Sequence, residues 1–312
     1  MLFSHGNRRS DNMWMLLVLV YGLLKGAREI VKKKSLQYSS VMEVLFFYTL
    51  FAFLMVVPDY KNAMHVPVSM LGFIFLKSLI IFCAWILSFK AIKKMPISLY
   101  GVLDLSRVLF ATLLGSLVLH EVMSTNQIIG LILVAAGLLL LKVRIRPKKL
   151  LKKDGTPELQ AEEKEDVKPV IVIFSLLSCM LNAVSGLMDK LLMRDLNSSE
   201  LQFFYMLFLV LLYGLYLCLG KGFGKEEIHL KRAAQNPWIW LLAFLFVIAD
   251  RALFVANADP ASKITIMTLI KQSGCIVTLA AGKWIYHEKH VLHRTFCTVL
   301  VVAGIVICKS FS

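Results

Sequence analysis

Apolar runs of about twenty residues alternate with shorter polar ones along almost the whole chain, in place of the short periods of amphipathic strands and helices. A hydrocarbon core of about 30 Å takes about 20 mostly apolar residues per spanning helix, so each run is long enough to cross. The runs are continuous, which predicts helices and not the alternating strands of a barrel. Spans are expected near 13–31, 41–59, 68–89, 95–119, 125–143, 169–194, 200–220, 236–257, 264–286 and 291–310. The first is the least clean, because Lys25 and Arg28 occupy its second half. That span is expected to begin earlier, to tilt, or to snorkel those charges to the interface.

One interruption differs from the rest. Residues 144–168 carry a dense mixture of charges with Asp154-Gly155 and Pro157 and almost nothing to bury, so a hydrophilic linker is expected there. Five predicted spans precede it and five follow. The chain also aligns on itself. A shift of 167 positions pairs Ser106 with Ser273, Gly115 with Gly282, His120 with His287, Glu121 with Glu288 and Gly137 with Gly304. Earlier in each half, EVLFFYTLF at 43–51 is echoed by ELQFFYMLF at 200–208 with a shift of 157. The expected organisation is therefore a duplicated unit: a first five-helix repeat over 1–143, the linker over 144–168, and a second repeat over 169–312. An odd number of spans makes the second copy enter the membrane from the opposite side. The fold class expected is an all-α membrane protein of about ten transmembrane helices arranged as two inverted five-helix repeats, the arrangement of alternating-access transporters.

The residues that carry the repeat also carry a resemblance. AIKKMPISLYGVLDLSRVLFATLLGSLVLHEVMSTNQIIGLILVAAGLLLL, with Ala91, Pro96, Ser98, Glu121 and Gly137, resembles the second part of an EamA domain of the drug/metabolite transporter superfamily. Ala258, Glu288 and Gly304 repeat the pattern, although Pro260 and Ala261 fall a few residues early. The resemblance implies a ten-helix carrier of small metabolites with its termini inside, and leaves the substrate open. It also implies a proline where Leu103 or Asp104 stands, a departure from the family pattern.

Composition agrees with the membrane reading: 58% of residues are hydrophobic, only 18% are charged, and the mean hydropathy is +0.71. The net charge of +15 does not point to nucleic acid, because the lysines and arginines concentrate in the loops after odd-numbered spans. That bias is roughly twofold to threefold and favours those loops as cytoplasmic, with both termini outside, against the orientation implied by the resemblance. The cysteines lie within predicted spans at irregular spacing and read as small buried residues. A multi-pass protein of the cell membrane is expected.

His120-Glu121 and His287-Glu288 raise zinc chemistry, but Met123 and Ser124 follow the first pair, so no H-E-x-x-H motif forms. His287, Glu288, His290 and His293 cluster only in the second copy. The stronger reading is that each Glu ends a membrane helix, with no metal and no other cofactor. The chemistry within the membrane lies elsewhere. Lys77, Asp104, Arg107, Asp250, Arg251 and Lys271 fall well inside spans, where an ion facing lipid costs about 2.5–3.5 kcal/mol on insertion scales. They are expected to face one another or water, with Trp85, Tyr100 and Gln272 completing a cavity. Asp104 and Lys271 are repeat equivalents and are expected to couple across it. Four cations against two anions favour an anionic or zwitterionic organic solute.

The function expected is secondary transport of a small organic metabolite by alternating access, either proton-coupled or exchanging; no Walker A motif points to ATP. A lipid-linked-sugar flippase is the alternative, with an intramembrane metal-dependent enzyme behind it. The expected partners are the solute and the lipid bilayer, with protons as candidate coupling ions.

Overall fold

The computed structural model describes residues 4–118, 125–140, 167–220, 229–260, 262, 264–288 and 291–309. All but the end of the expected linker, the His120-Glu121 pair and His290 lie outside the described residues. The helices are α1 (Ser4–Ser35), α2 (Val41–Val56), α3 (Tyr60–Ala63), α4 (Val68–Lys94), α5 (Ile97–Asp104), α6 (Arg107–Val118) and α7 (Thr125–Leu140). After the linker come α8 (Pro169–Leu192), α9 (Ser198–Gly220), α10 (Leu230–Ala234), α11 (Pro237–Ala258), α12 (Ile264–Lys271), α13 (Gly274–Trp284) and α14 (Val291–Lys309). No strand occurs among the described residues.

Among the described residues six stretches are long and apolar enough to cross a membrane: Val41–Ala63, Val68–Lys94, Ile97–Val118, Pro169–Leu192, Ser198–Leu219 and Pro237–Ala258. The all-helical membrane reading therefore holds, whereas among the described residues six of the ten expected spans meet this measure. α1 has ample length at 32 residues, but Lys25, Arg28, Glu29 and Lys32 interrupt its apolar face.

Local sequence sets the boundaries. Ser40 caps α2 through a reciprocal capping box with Glu43, and Asn236 caps α11 ahead of Pro237. Pro96 ends α4 by pushing Met95 into an extended conformation, at φ −133° and ψ 159°. Two spans are broken in the middle. Between α5 and α6 the amides of Ser106, Val108 and Leu109 bond three residues back, to Leu103, Leu105 and Ser106. Between α12 and α13 the amides of Ser273, Cys275 and Ile276 do the same to Ile270, Gln272 and Ser273. These are the same positions under the shift of 167, and such tightened turns mark strain or hinges.

Packing follows an exchange pattern. α1 rests on α11 and α13 while α8 rests on α4 and α6; α2 faces α9, and α7 faces α14. Two of these contacts need glycine. A Cβ on Gly26 would lie 2.5 Å from the carbonyl oxygen of Gly274, so α1 can sit directly on the second break. A Cβ on Gly137 would meet Val301 Cγ2 at 2.6 Å, and one on Gly304 would meet the Gly130 carbonyl at 2.7 Å. Lipid supplies little hydrophobic drive between helices, so such backbone approach carries the association.

The distribution of polarity is inverted relative to a soluble protein. Leu117, Ile132, Leu215, Leu219, Phe296 and Val299 are exposed, whereas Lys77 is 1% exposed and Asp104, Asp189 and Asp250 are buried. An aromatic cluster of Tyr48, Trp85 and Phe246 joins α2, α4 and α11 beside those charges, with ring centroids 5.2–5.3 Å apart.

Candidate functional site: a charged central cavity

The helices surround a cavity of about 1040 Å³, its open mouth included. Of the residues expected there, Lys77, Trp85, Tyr100, Arg107, Asp250 and Lys271 line it. Asp104 sits just behind, on a smaller void that shares Lys25, Glu29 and Tyr100 with the main one. Arg251 does not line the cavity. Its guanidinium reaches Gln202 Oε1 at 2.8 Å, Ser199 Oγ at 2.6 Å and Asp59 Oδ2 at 2.8 Å, tying α11 to α9 and the end of α2. One residue of helix turns a side chain by about 100°, so Asp250 faces inward and its neighbour outward. Gln272 is buried in the second break, without a partner for Nε2 and away from the cavity lining.

The main contribution that the sequence reading missed comes from α1. Lys25, Arg28, Glu29 and Lys32 recur at helical spacing and put one charged face on the cavity. The signal was visible as the blemish in the first span, but packing decides between a snorkelling charge and an inward one. The facing wall of α8 supplies Asn182, Ser185, Gly186 and Asp189. Those are the positions of Lys25, Arg28, Glu29 and Lys32 under the shift of 157, so equivalent faces of the two helices line one space with different chemistry.

Most of these charges are paired. Lys25 and Arg107 both bond Asp104, the latter at 2.8 Å. Lys32 holds Glu29 at 2.7 and 2.8 Å and lies 4.6 Å from the Phe89 ring centroid. Arg28 approaches Asp250 at 3.4 Å and the Phe246 ring at 4.9 Å. Lys77 is 3.1 Å from Asp189 Oδ1, an ion pair without hydrogen-bond alignment, and sits 3.4 Å from the centre of the Tyr205 ring. Lys271 has no carboxylate partner among the described residues; its ammonium lies 5.6 Å from the Tyr21 ring. Among the described residues Asp104 and Lys271, expected to couple directly or through water, form no direct ion pair, and Asp104 is held by Lys25 and Arg107. Repeat equivalence puts the two residues at the ends of α5 and α12, but α1 inserts its own cation at Asp104.

The His-Glu pair of the second copy serves structure. His287 takes a positive φ of 48° in the turn between α13 and α14 and is exposed. The chain reversal brings Glu288 onto the start of α5, where it accepts bonds from the amides of Ile97 and Ser98 and from the Ser98 hydroxyl. Arg294 donates to both Ser98 Oγ, at 2.6 Å, and Glu288, at 3.2 Å. A carboxylate at a helix N-terminus satisfies free amides and complements the dipole. Among the described residues no three His, Cys, Asp or Glu side chains are grouped to hold a metal.

Buried charges around a cavity, inside helices with apolar outer faces, define a multi-pass integral membrane protein. Residues 12–143 match the model of the EamA-like transporter family, in agreement with the resemblance read from the residues. No curated protein matches the chain. A solved structure described only as "Crystal structure of protein" is similar with a TM-score of 0.63 at 11% identity, over 94% of this chain and 95% of that one. At such low identity the likeness concerns the fold alone.

Proposed function

We propose that the chain is a secondary transporter that moves a small anionic or zwitterionic organic solute by alternating access between two inverted five-helix halves. The observation that carries this reading is the central cavity, whose walls come from equivalent faces of α1 and α8 and whose cations outnumber its anions. A scaffold has no use for charges whose burial is so costly, while a solute path does. Two further features support the two-half reading: matching breaks at Ser106 and Ser273, and the reciprocal contact of α7 with α14 through Gly137 and Gly304. If the halves exchange conformations, the breaks supply hinges and the glycine contact lies between the moving units. Asp250, held by Arg28 at 3.4 Å, is the carboxylate proposed to carry a coupling proton, and exchange of two solutes needs none.

The test is reconstitution. A ligand found by thermal stabilisation of the purified protein is loaded inside proteoliposomes and its labelled form is supplied outside. Saturable uptake that needs the internal ligand, and is absent from protein-free vesicles, is expected. A ligand that stabilises the protein but never crosses would sink the transport reading.

A further inference from the structure

We infer that the solute is a dianion, a dicarboxylate or a phosphate monoester, whose two negative charges balance a surplus held by Lys25, Arg107 and Lys271. This rests on the transport reading for its direction across the membrane but not for the binding itself. Six cationic side chains line the main cavity: Lys25, Arg28, Lys32, Lys77, Arg107 and Lys271. Four carboxylates lie on it or directly behind it: Glu29, Asp104, Asp189 and Asp250. Lys32, Lys77 and Arg28 each hold one carboxylate. Asp104 alone serves both Lys25 and Arg107, and Lys271 has none among the described residues. The site is therefore short of two negative charges.

The surplus is also placed where an anion is best received. Arg107 is the first residue of α6 and Lys271 the last of α12, so both stand at the broken turns. Donors without partners among the described residues accompany them: Arg107 Nε and Asn257 Nδ2 are buried and unbonded. A carboxylate or phosphate group accepts several such bonds at once, most strongly from charged donors. A monoanion leaves one cation uncompensated, and a zwitterion brings no net charge at all.

Binding to the purified full-length protein distinguishes these cases. Succinate, succinamate and succinamide share a skeleton and carry two, one and no negative charges; glycerol 3-phosphate and glycerol form a second set, and γ-aminobutyrate is the zwitterion. At least one of succinate and glycerol 3-phosphate should bind tenfold or more tightly than every probe of lower charge, and which one responds separates carboxylate from phosphate. Lys271→Gln should remove the preference, bringing the dianion down to the level of the monoanion. It should also raise the midpoint of thermal unfolding without ligand, since it removes a half-buried charge that has no carboxylate partner among the described residues; a purely structural Lys271 would lower it. Equal or tighter binding of monoanion, zwitterion or neutral probe, absence of stabilisation by either dianion, or a retained preference in Lys271→Gln would overturn the inference. Proteoliposome uptake keeps the two readings apart. A dianion that binds but is not carried leaves this site standing and removes transport, whereas carriage of an uncharged solute without dianion binding does the reverse.

Discussion

Asp104 serves two cations from two different helices, which makes it the most exposed point in the charge network. Replacing it with Asn leaves Lys25 and Arg107 buried without a counter-charge, and breaking a buried pair in this way costs about 3–5 kcal/mol. Asp104→Asn should lower the thermal midpoint in detergent markedly, and adding Lys25→Met should recover part of the loss. Full stability of the single variant would mean that water reaches the pair. Arg251 provides the contrast. Its side chain is 32% exposed and its partner Asp59 29%, so the ion pair belongs to the regime worth about 0–1 kcal/mol. Arg251→Gln should change stability slightly and leave the affinity for solute unaltered; a large change in affinity would put Arg251 back in the cavity. These residues also show what was legible beforehand. That Lys77, Arg107, Asp250 and Lys271 must turn inward followed from the cost of charge in lipid alone. The partners of Lys77 and Asp250 did not follow, because Asp189 and Arg28 sit near predicted span ends where a charge needs no explanation, and pairing depends on how α8 lies against α4 and α1 against α11.

At the scale of elements, hydropathy located most of the long helices to within a few residues, missed that α1 starts at Ser4 and not near 13, and was blind to the breaks at Leu105-Ser106 and Gln272-Ser273. Ser106, Gln272 and Ser273 are polar, but one or two polar residues barely change the average of a long apolar run, and one turn of three-residue bonding has no composition of its own. The repeat alignment had paired the two serines without indicating why. It also paired Asp250 with Cys83, yet Cys83 is exposed while Asp250 lines the cavity, so a single ungapped shift does not carry through α4 and α11. Close approach of α1 to the second break gives a test at this scale. Gly26→Ala would put a methyl group 2.5 Å from the Gly274 carbonyl oxygen, a backbone atom that cannot swing away. Overpacking costs about 1–3 kcal/mol, and here the upper end applies. Gly72→Ala meets nothing within 4 Å and should be neutral or slightly stabilising, since alanine favours a helix over glycine. Thermal unfolding of the two variants side by side checks this, and similar midpoints would mean that α1 can back away from α13.

For the molecule as a whole, the question is whether contacts between α1–α7 and α8–α14 must open during the proposed transport. The tie at Glu288 is the best place to ask it. Its carboxylate belongs to the turn between α13 and α14 but caps α5, and Lys33 of α1 adds a cation 3.6 Å away while donating to the Met95 carbonyl at 2.9 Å. Lys190, the equivalent of Lys33 under the shift of 157, donates to the carbonyls of Asn257 and Asp259 at 3.1 and 3.2 Å, where α11 ends. The two lysines thus fasten the ends of the third helices on what the proposed inverted topology makes opposite membrane faces. Alternating access requires the two faces to loosen in turn, so a permanent link at one of them should trap the carrier. In a background without the native cysteines, Ser98→Cys combined with Glu288→Cys joins positions that are already in contact. Oxidation should abolish exchange in proteoliposomes, leave thermal stabilisation by bound solute intact, and be reversed by reduction. The reduced protein is its own reference for the lost cap. If the oxidised protein transports as fast as the reduced one, the Glu288 contact is a fixed joint and the moving interface lies elsewhere.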